Sequence, residues 1–171
     1  MEILRGWTMT AAFRYTDVQQ TTFNAAANAY VLRDKPLQNK FKGIITTSYQ
    51  TPLKTWQFDL TAQFNGPGRM PDGFVVPEGS KQYFTDELGQ INHKWYPQLL
   101  GQVTKFFRTW SIYLGAENMT NFTQDNPIVG GRNEHGFVDP ASKNYDASMI
   151  WAPIHGWKMY IGFRWALERA E

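Results

Sequence analysis

The side chains that could take part in chemistry are few and lie far apart in the sequence. The three histidines, His93, His135 and His155, show no His-x-x-x-His spacing, and the chain contains no cysteine. A zinc site needs several such ligands converging on one ion, so this spacing does not favour a metal. Asp59 and Glu117 lie on different predicted strands, which does not favour a glycosidase-type acid pair. We therefore predict no metal, no cofactor, no catalytic residue and no enzymatic activity.

A second set of polar side chains lies in long segments that carry no strand pattern. Loops often hold the binding residues of a protein, although most polar loop residues are only solvated. The residues that we predict as contacts for a small ligand are Arg69, Asp72, Tyr83, Arg132 and His135.

The long segments must be positioned by the elements between them. Apolar and polar side chains alternate along several of those elements, which is the pattern of β-strands. In residues 55–65 every second residue, from Trp56 to Phe64, is apolar, and the residues between them are polar. A strand points successive side chains to opposite faces, and no segment sustains a helical period. The sequence therefore predicts an all-β fold. The predicted strands are 6–16, 41–49, 55–65, 98–106, 110–118 and 157–165, with a shorter candidate at 145–151.

The connections between these strands alternate in length. Segments 17–40, 66–97 and 119–156 are long, whereas 50–54 and 105–109 are short. Transmembrane β-barrels show this asymmetry, with short periplasmic turns and long extracellular loops. Strands of ~9–11 residues also suit a bilayer. We therefore predict an antiparallel up-and-down transmembrane β-barrel, of which this chain supplies about six strands and three long loops.

This interpretation assigns the two faces of the sheet to different surroundings. The apolar face would contact lipid, and the polar face would line a wide, hydrated lumen. The residues predicted to face lipid are Trp56, Phe58, Leu60, Phe64, Ile112, Leu114, Ile161 and Phe163. The residues predicted to face the lumen are Gln57, Asp59, Thr61, Gln63, Gln102, Glu117 and Arg164.

Composition excludes some other classes. The 171-residue chain has a formal net charge of only +2, which argues against a nucleic-acid-binding protein. It has no apolar run long enough for a transmembrane helix. Its first residues, MEILRGW, do not form a signal peptide. Aromatic residues make up 16% of the chain, an abundance compatible with the aromatic girdles of a membrane barrel.

Three stretches carry a family resemblance: QFDLTAQFNGPGRMP (57–71), VTKFFRTWSIYLGAENMTNFTQDNPI (103–128) and YDASMIWAPIHGWKMYIGFRW (145–165). Together they resemble the C-terminal end of TonB-dependent outer-membrane receptors, and most of all the Bacteroidetes members. The AENxTNF element, from Ala116 to Phe122, is similar to the penultimate barrel strand of that family. The strand at 157–165 is similar to the strand that closes the barrel. The family's closing aromatic normally lies at or near the C-terminus, so residues 166–171 are interpreted as a tail that is foreign to the native barrel.

The resemblance implies a location and a set of partners. The chain would lie in the bacterial outer membrane, with its long loops extracellular and its short turns periplasmic. Residues 1–165 would be the last part of a barrel of about 22 strands, whose other strands and plug lie outside this chain. The implied function is uptake of a nutrient such as a metal chelate, cobalamin, a glycan or a peptide. The energy-coupling TonB complex would act through the plug, and the isolated segment could oligomerise.

Two alternatives remain open. The chain could be a small independent outer-membrane pore or adhesin, with two further strands from 145–151 and 17–40. It could instead be a soluble lipocalin-like barrel that binds a ligand inside and turns its apolar faces inward. Exposure of Trp56 and Phe58 discriminates, because the soluble alternative requires both to be sealed from solvent.

Overall fold

All of the regular structure in the described part of the chain is β-strand. The computed structural model describes residues 2–24, 28–128, 130, 135, 139–143 and 145–165. All strand pairs in these ranges are antiparallel, which confirms the predicted all-β antiparallel class. Within the same ranges no helix is long and apolar enough to cross a membrane. The strands are β1 (Glu2–Leu4), β2 (Trp7–Tyr15), β3 (Gln19–Asn24), β4 (Ala29–Asp34), β5 (Phe41–Gln50), β6 (Trp56–Asn65), β7 (Gly68–Arg69), β8 (Tyr83–Thr85), β9 (Ile91–His93), β10 (Tyr96–Phe106), β11 (Trp110–Glu117) and β12 (Lys158–Trp165).

A seven-stranded sheet forms the body of the molecule. Its strands run in the order β1-β2-β5-β6-β10-β11-β12, so strands joined by short connections are direct neighbours. All six predicted strands are present, with ends within about two residues of the predicted positions, and β1 adds a short seventh. Over the described residues the sheet is open, with β1 and β12 at its edges. One end of the sheet, the turn end, carries the short connections, and the other, the loop end, carries the long ones.

The long connections contain strands that the sequence pattern does not predict. β3 and β4 form a separate hairpin within 17–40, and β7, β9 and β8 form a small sheet within 66–97. The strand predicted at 145–151 is wrong, since the structure has only an isolated bridge residue at Asp146 there. The main chain of that segment is held by the side chain of Gln124 instead of by a neighbouring strand.

The apolar face of the large sheet divides into bands. Directly paired residues share a face, so the pairing aligns the apolar side chains in rows across the strands. The two central rows contain no aromatic residue, and we call them the aliphatic band. They are Met9-Thr47-Leu60-Gly101-Ala116-Met159 and Ala11-Ile45-Ala62-Leu99.

Aromatic side chains flank the aliphatic band on both sides. Toward the turn end they form a turn belt of Trp7, Tyr49, Trp56, Phe58, Trp110, Phe163 and Trp165. Toward the loop end they form a loop belt of Phe13, Tyr15, Phe41 and Phe64. Nothing in the described part of the chain covers this face. Trp56, Phe58 and Ile161 are accordingly 40%, 45% and 72% exposed.

The polar face contains two reciprocal contacts between glycine and tyrosine. Gly115 on β11 lies opposite Tyr160 on β12, and Tyr113 on β11 lies opposite Gly162 on β12. A Cβ atom on Gly115 would lie 2.2 Å from Cζ of Tyr160, and one on Gly162 would lie 2.0 Å from Cζ of Tyr113. Each ring therefore occupies the space that the opposite glycine leaves empty.

The hydrophobic core lies among the loops, away from the large sheet. Its buried members are Met70, Phe74, Tyr83 and Met149, with Ile91 and Trp151 packed against them. These residues come from the second and third long connections. The loops at this end therefore pack against each other, while the apolar face of the strands stays exposed.

Candidate functional site

The base of the third long loop is closed by side chains of the AENxTNF element. Asn118 adopts a positive φ of 49°, and its Nδ2 donates hydrogen bonds to the carbonyl oxygens of Phe122 (2.8 Å) and His155 (3.0 Å). Asn121 also has a positive φ, and its Oδ1 accepts a hydrogen bond from the amide of Trp157 at 3.1 Å. Asparagine tolerates this backbone conformation and hydrogen-bonds nearby main chain, which suits both positions. The element thus joins the two ends of a loop of almost forty residues.

Two glutamine side chains organise the third loop, one by joining it to the second loop and the other by bonds within the third loop. Gln82 donates to the carbonyl of Thr123 at 2.7 Å and accepts from the amide of Asp125 at 2.8 Å. Gln124, which is buried, donates to the carbonyl of Met149 at 3.0 Å and accepts from the amide of Trp151 at 2.9 Å. A primary amide can do both because it carries donors and an acceptor side by side, as a peptide group does.

An aromatic cluster fills the space between these loops. The indole of Trp151 stacks on the ring of His93, with centroids 4.1 Å apart and planes 9° apart. Its Nε1 donates to the hydroxyl of Tyr83 at 3.1 Å, and Tyr96 meets it edge-on at 5.3 Å. Tyr96 also stacks on Phe122 at 4.8 Å. Trp151 therefore connects β8, β9 and β10 to the third loop.

His93 is neutral in this cluster at ordinary pH. Burial of the imidazole lowers the pKa of His93 to about 4, against the opposing effect of its bond to the carbonyl of Lys94. That oxygen can only accept, so Nδ1, 3.0 Å away, carries the hydrogen. A charged imidazole at this site would lose solvation with no carboxylate in contact, so His93 supports packing and does not act as a cation.

A buried arginine ties the first long loop to the second. The guanidinium of Arg69 donates to the carbonyl of Asp34 at 3.1 Å and pairs with the carboxylate of Asp72. Arg33 reaches the same carboxylate at 3.4 Å. Asp72 therefore joins one buried and one half-buried arginine at the outer surface of the loops.

A recess of about 360 Å³ opens on the polar face beneath the third loop. Glu117 and Lys158 lie opposite each other on β11 and β12 at its wall, and neither makes an ion pair with another described residue. The polar part of the lining includes Gln98, Asn118 and His155, and the apolar part includes Leu100, Ile150 and Ile154. The recess offers both signs of charge and hydrogen-bonding groups to a small polar ligand.

The predicted ligand contacts fall in different places. Arg69 and Tyr83 are only 2% and 6% exposed and hold the loops together. Asp72 is exposed beside Arg69, whereas His135 is exposed on the third loop. Arg132 lies outside the described residues. Arg69 and Asp72 are in contact with each other, and ligand contact by any of the five stays a prediction.

Sequence reasoning missed most of the residues that organise the loops. His93, Gln124 and Trp151 were not among the predicted site residues. One signal in the sequence was the presence of large aromatic and amide side chains in the long loops. Such side chains often pack against, or hydrogen-bond to, another segment of the chain. Their partners lie tens of residues away and leave no local pattern.

The two predicted face sets separate as the alternation requires. All residues predicted to face lipid lie on the apolar face, and all those predicted to face a lumen lie on the polar face. On the polar face Gln57 donates to both oxygens of Asp59, at 2.9 and 3.0 Å. What lies against each face stays a prediction.

Comparison with known proteins identifies no relative. No protein-family model, curated protein or solved structure matches the chain. The described residues also contain no group of three or more His, Asp or Glu side chains that could hold a metal ion. The geometry of the sheet and its loops is therefore the basis for a functional proposal.

Proposed function

We propose that the chain is a membrane-spanning wall segment of an outer-membrane β-barrel. The observation that carries this proposal is the banded, uncovered apolar face, with an aliphatic band between two aromatic belts. An outward apolar band flanked by aromatic girdles is the arrangement expected of strands that cross a bilayer. A water-soluble protein with this face exposed would pay the hydration cost of the whole surface.

The dimensions of the sheet support the same environment. Along β6 the two belts are carried by Trp56 and Phe64, about eight residues apart, which is roughly 27 Å of strand. At a tilt of ~45° this spans roughly 20 Å, close to the ~25 Å height of the apolar band in such barrels. The polar face would then line the interior.

The alternatives have less support. A lipocalin-like barrel requires Trp56 and Phe58 to be sealed, yet they are 40% and 45% exposed. A small independent barrel was expected to draw two strands from 17–40 and 145–151. The first segment forms a separate hairpin and the second forms no strand, so neither extends the large sheet.

The open edges favour a larger barrel. Unpaired N–H and C=O groups are costly in lipid, so β1 and β12 need further strands beside them. We propose that these belong to the rest of a TonB-dependent receptor, with a second copy of this chain as the weaker candidate. Outer-membrane lipid would be the partner of the apolar face.

Within such a receptor the loops would face outward and contact the nutrient. The packed loop core, the bonds from Gln82 to the third loop and the bonds of Gln124 within that loop support a defined ligand-facing surface. The recess beside Glu117 and Lys158 offers a polar subsite. We propose nutrient uptake driven by the TonB complex through the plug. A metal chelate, cobalamin, a glycan and a peptide are all compatible with a recess of mixed charge.

Single-cysteine variants test the membrane proposal, since the native chain contains no cysteine. Nitroxide labels at Leu60→Cys and Thr61→Cys lie on adjacent residues but opposite faces. With the full chain in phosphatidylcholine vesicles, the label at 60 should be reached by oxygen and shielded from a water-soluble nickel complex. The label at 61 should show the reverse preference. Equal access of the nickel complex to both labels would contradict a membrane-spanning sheet.

The receptor proposal needs a separate test. An antibody against this chain, applied to fractions of cells that produce the protein, should detect an outer-membrane band several times larger than 19.8 kDa. A membrane band near 19.8 kDa would favour a small independent barrel instead. Signal in the soluble fraction alone would contradict both membrane proposals.

A further inference from the structure

A lysine lies beside the aromatic rings at the turn end of the apolar face. Lys105 is the one charged residue among the side chains of that face on β6, β10 and β11, and it pairs with Trp56 and Ile112. Its Nζ lies 4.5 Å from the ring centroid of Trp56 and 5.9 Å from that of Phe107. The lysine stem therefore crosses the turn belt and holds the ammonium at its rim.

Two further cations lie in turns at the same end of the sheet. Lys54 precedes Thr55, whose carbonyl accepts a hydrogen bond from the amide of Phe106 at 2.8 Å, so this turn lies beside the end of β10. Arg108 lies at the tip of the hairpin between β10 and β11. Both side chains are exposed.

In the two hairpins that carry these cations, no described acidic residue lies at the turn end. The turns at 51–55 and 107–109 contain none, and Asp59, the nearest acid along either hairpin, lies on the opposite face with both oxygens bonded to Gln57. The loop end differs, because its cations are partly neutralised: Lys40 pairs with Asp34 at 2.8 Å. The turn ends of these two hairpins thus carry positive charge with no acidic residue of the same hairpin end beside it.

We propose that Lys54, Lys105 and Arg108 form a binding site for the phosphate headgroup of an anionic phospholipid in the leaflet at the turn end. This inference rests on the proposed function, since it requires the apolar face to lie in lipid. The acyl chains would run over the aliphatic band, where a groove of about 490 Å³ opens at Gly101 between Leu60 and Leu114. The ammonium and guanidinium groups would then meet the headgroup phosphate at the level of the turn belt.

The expected effect follows from the number of cations. Each basic residue near an anionic membrane surface raises partitioning about 5-fold, so three would raise it on the order of 100-fold. A variant with Lys54→Gln, Lys105→Gln and Arg108→Gln keeps much of each stem and removes all three charges. The matched control carries Lys81→Gln, Lys94→Gln and Lys143→Gln at the loop end.

The test measures binding of the full chain to vesicles of phosphatidylcholine alone and of equal parts phosphatidylcholine and phosphatidylglycerol. Quenching of tryptophan fluorescence by brominated acyl chains reports insertion in both. The native chain and the loop-end control should prefer the anionic vesicles on the order of 100-fold, and the turn-end variant should lose most of that preference. A double variant, Lys54→Gln with Arg108→Gln, changes only exposed turn residues and should lose an intermediate share.

The outcomes separate this inference from the proposed function. Quenching in both vesicle types with equal affinity for the native chain and the turn-end variant would overturn the headgroup site and leave the membrane proposal standing. Absence of quenching in both vesicle types would overturn the membrane proposal itself. The binding to anionic vesicles is also measured with added inorganic phosphate and with added chloride of equal ionic strength. If phosphate abolishes the preference for anionic vesicles and chloride does not, the site binds free phosphate and the lipid assignment is overturned.

Discussion

Replacing Gly115 by alanine should destabilise the pairing of β11 with β12. The new Cβ would lie 2.2 Å from Cζ and 2.3 Å from the hydroxyl oxygen of Tyr160, far inside the ~3.5–4.0 Å of a favourable carbon contact. The ring must therefore rotate away. That movement breaks the bond from its hydroxyl to Oε1 of Gln102, now 3.1 Å, and separates it from Tyr113, whose ring centroid is 6.2 Å away.

The magnitude follows from these losses. The hydrogen bond contributes ~1 kcal/mol and the aromatic pair ~1 kcal/mol, while alanine in a strand gains ~0.5 kcal/mol over glycine. The net loss should be about 1.5 kcal/mol in the free energy of unfolding. Urea unfolding of the full chain in vesicles, followed by tryptophan fluorescence, measures it.

Two comparisons make this prediction refutable. A Cβ on Gly43 would lie 3.8 Å or more from its neighbours, so Gly43→Ala should be neutral or slightly stabilising. In a Tyr160→Ala background the ring is absent, so Gly115→Ala should gain ~0.5 kcal/mol instead of losing ~1.5 kcal/mol, which gives a coupling energy of ~2 kcal/mol. An equal loss from Gly115→Ala and Gly43→Ala, or one that persists without the tyrosine ring, would refute the reasoning.

Three further predictions concern the loops. Gln124→Ala leaves the amide of Trp151 without its acceptor, so we expect a loss of ~2 kcal/mol, measured as faster hydrogen exchange of that amide. The pKa of His93, about 4 when folded against ~6.5 when unfolded, means that the unfolded loop binds the proton more tightly. Loop stability should therefore be full above pH ~6.5 and fall by up to ~3 kcal/mol as pH drops to ~4, and His93→Phe should flatten this profile in tryptophan fluorescence. Asp72→Asn removes the carboxylate partner of Arg69, and because Asp72 is largely exposed we expect only ~1 kcal/mol, seen as faster proteolysis of the loops.

Each of these has a control on the same surface. Gln98→Ala removes a half-exposed glutamine near the same loop and should leave the exchange rate unchanged. His155→Phe should retain the pH profile of the native chain, since the profile is attributed to the buried His93. Glu78→Gln removes an exposed loop charge that makes no ion pair with a described residue and should not change proteolysis. A matching effect in any control would contradict the corresponding prediction.

The large sheet was predictable because each of its strands contrasts two faces. In β6 the alternation from Trp56 to Phe64 is nearly perfect, and the predicted strand agrees with the observed one to within a residue. The hairpin of β3 and β4 has no such contrast, since Gln19–Asn24 is almost wholly polar and packs against no core. The alternation of apolar and polar residues cannot reveal a strand whose two faces are both exposed to solvent.

The loops were less predictable because long-range contacts decide their structure. The segment 145–151 alternates, yet its main chain bonds to Gln124, and Trp151 turns into the loop cluster. Arg69 and Tyr83 were predicted as ligand contacts because loops often hold the binding residues of a protein. Their burial depends on partners such as Asp34 and Trp151, which local sequence does not reveal.

The reciprocal glycine–tyrosine contacts give β11 and β12 protection against strand slippage. Sliding one strand by a single residue would reverse its faces, and the apolar pattern alone forbids that. Sliding by two residues keeps every face correct, so alternation cannot detect the error. A slip in one direction would set Tyr113 against Tyr160. A slip in the other direction would set Gly115 against Gly162, so that neither tyrosine ring would lie over a glycine. The fit of each tyrosine ring over the opposite glycine thus selects one strand register among those that the apolar pattern alone permits.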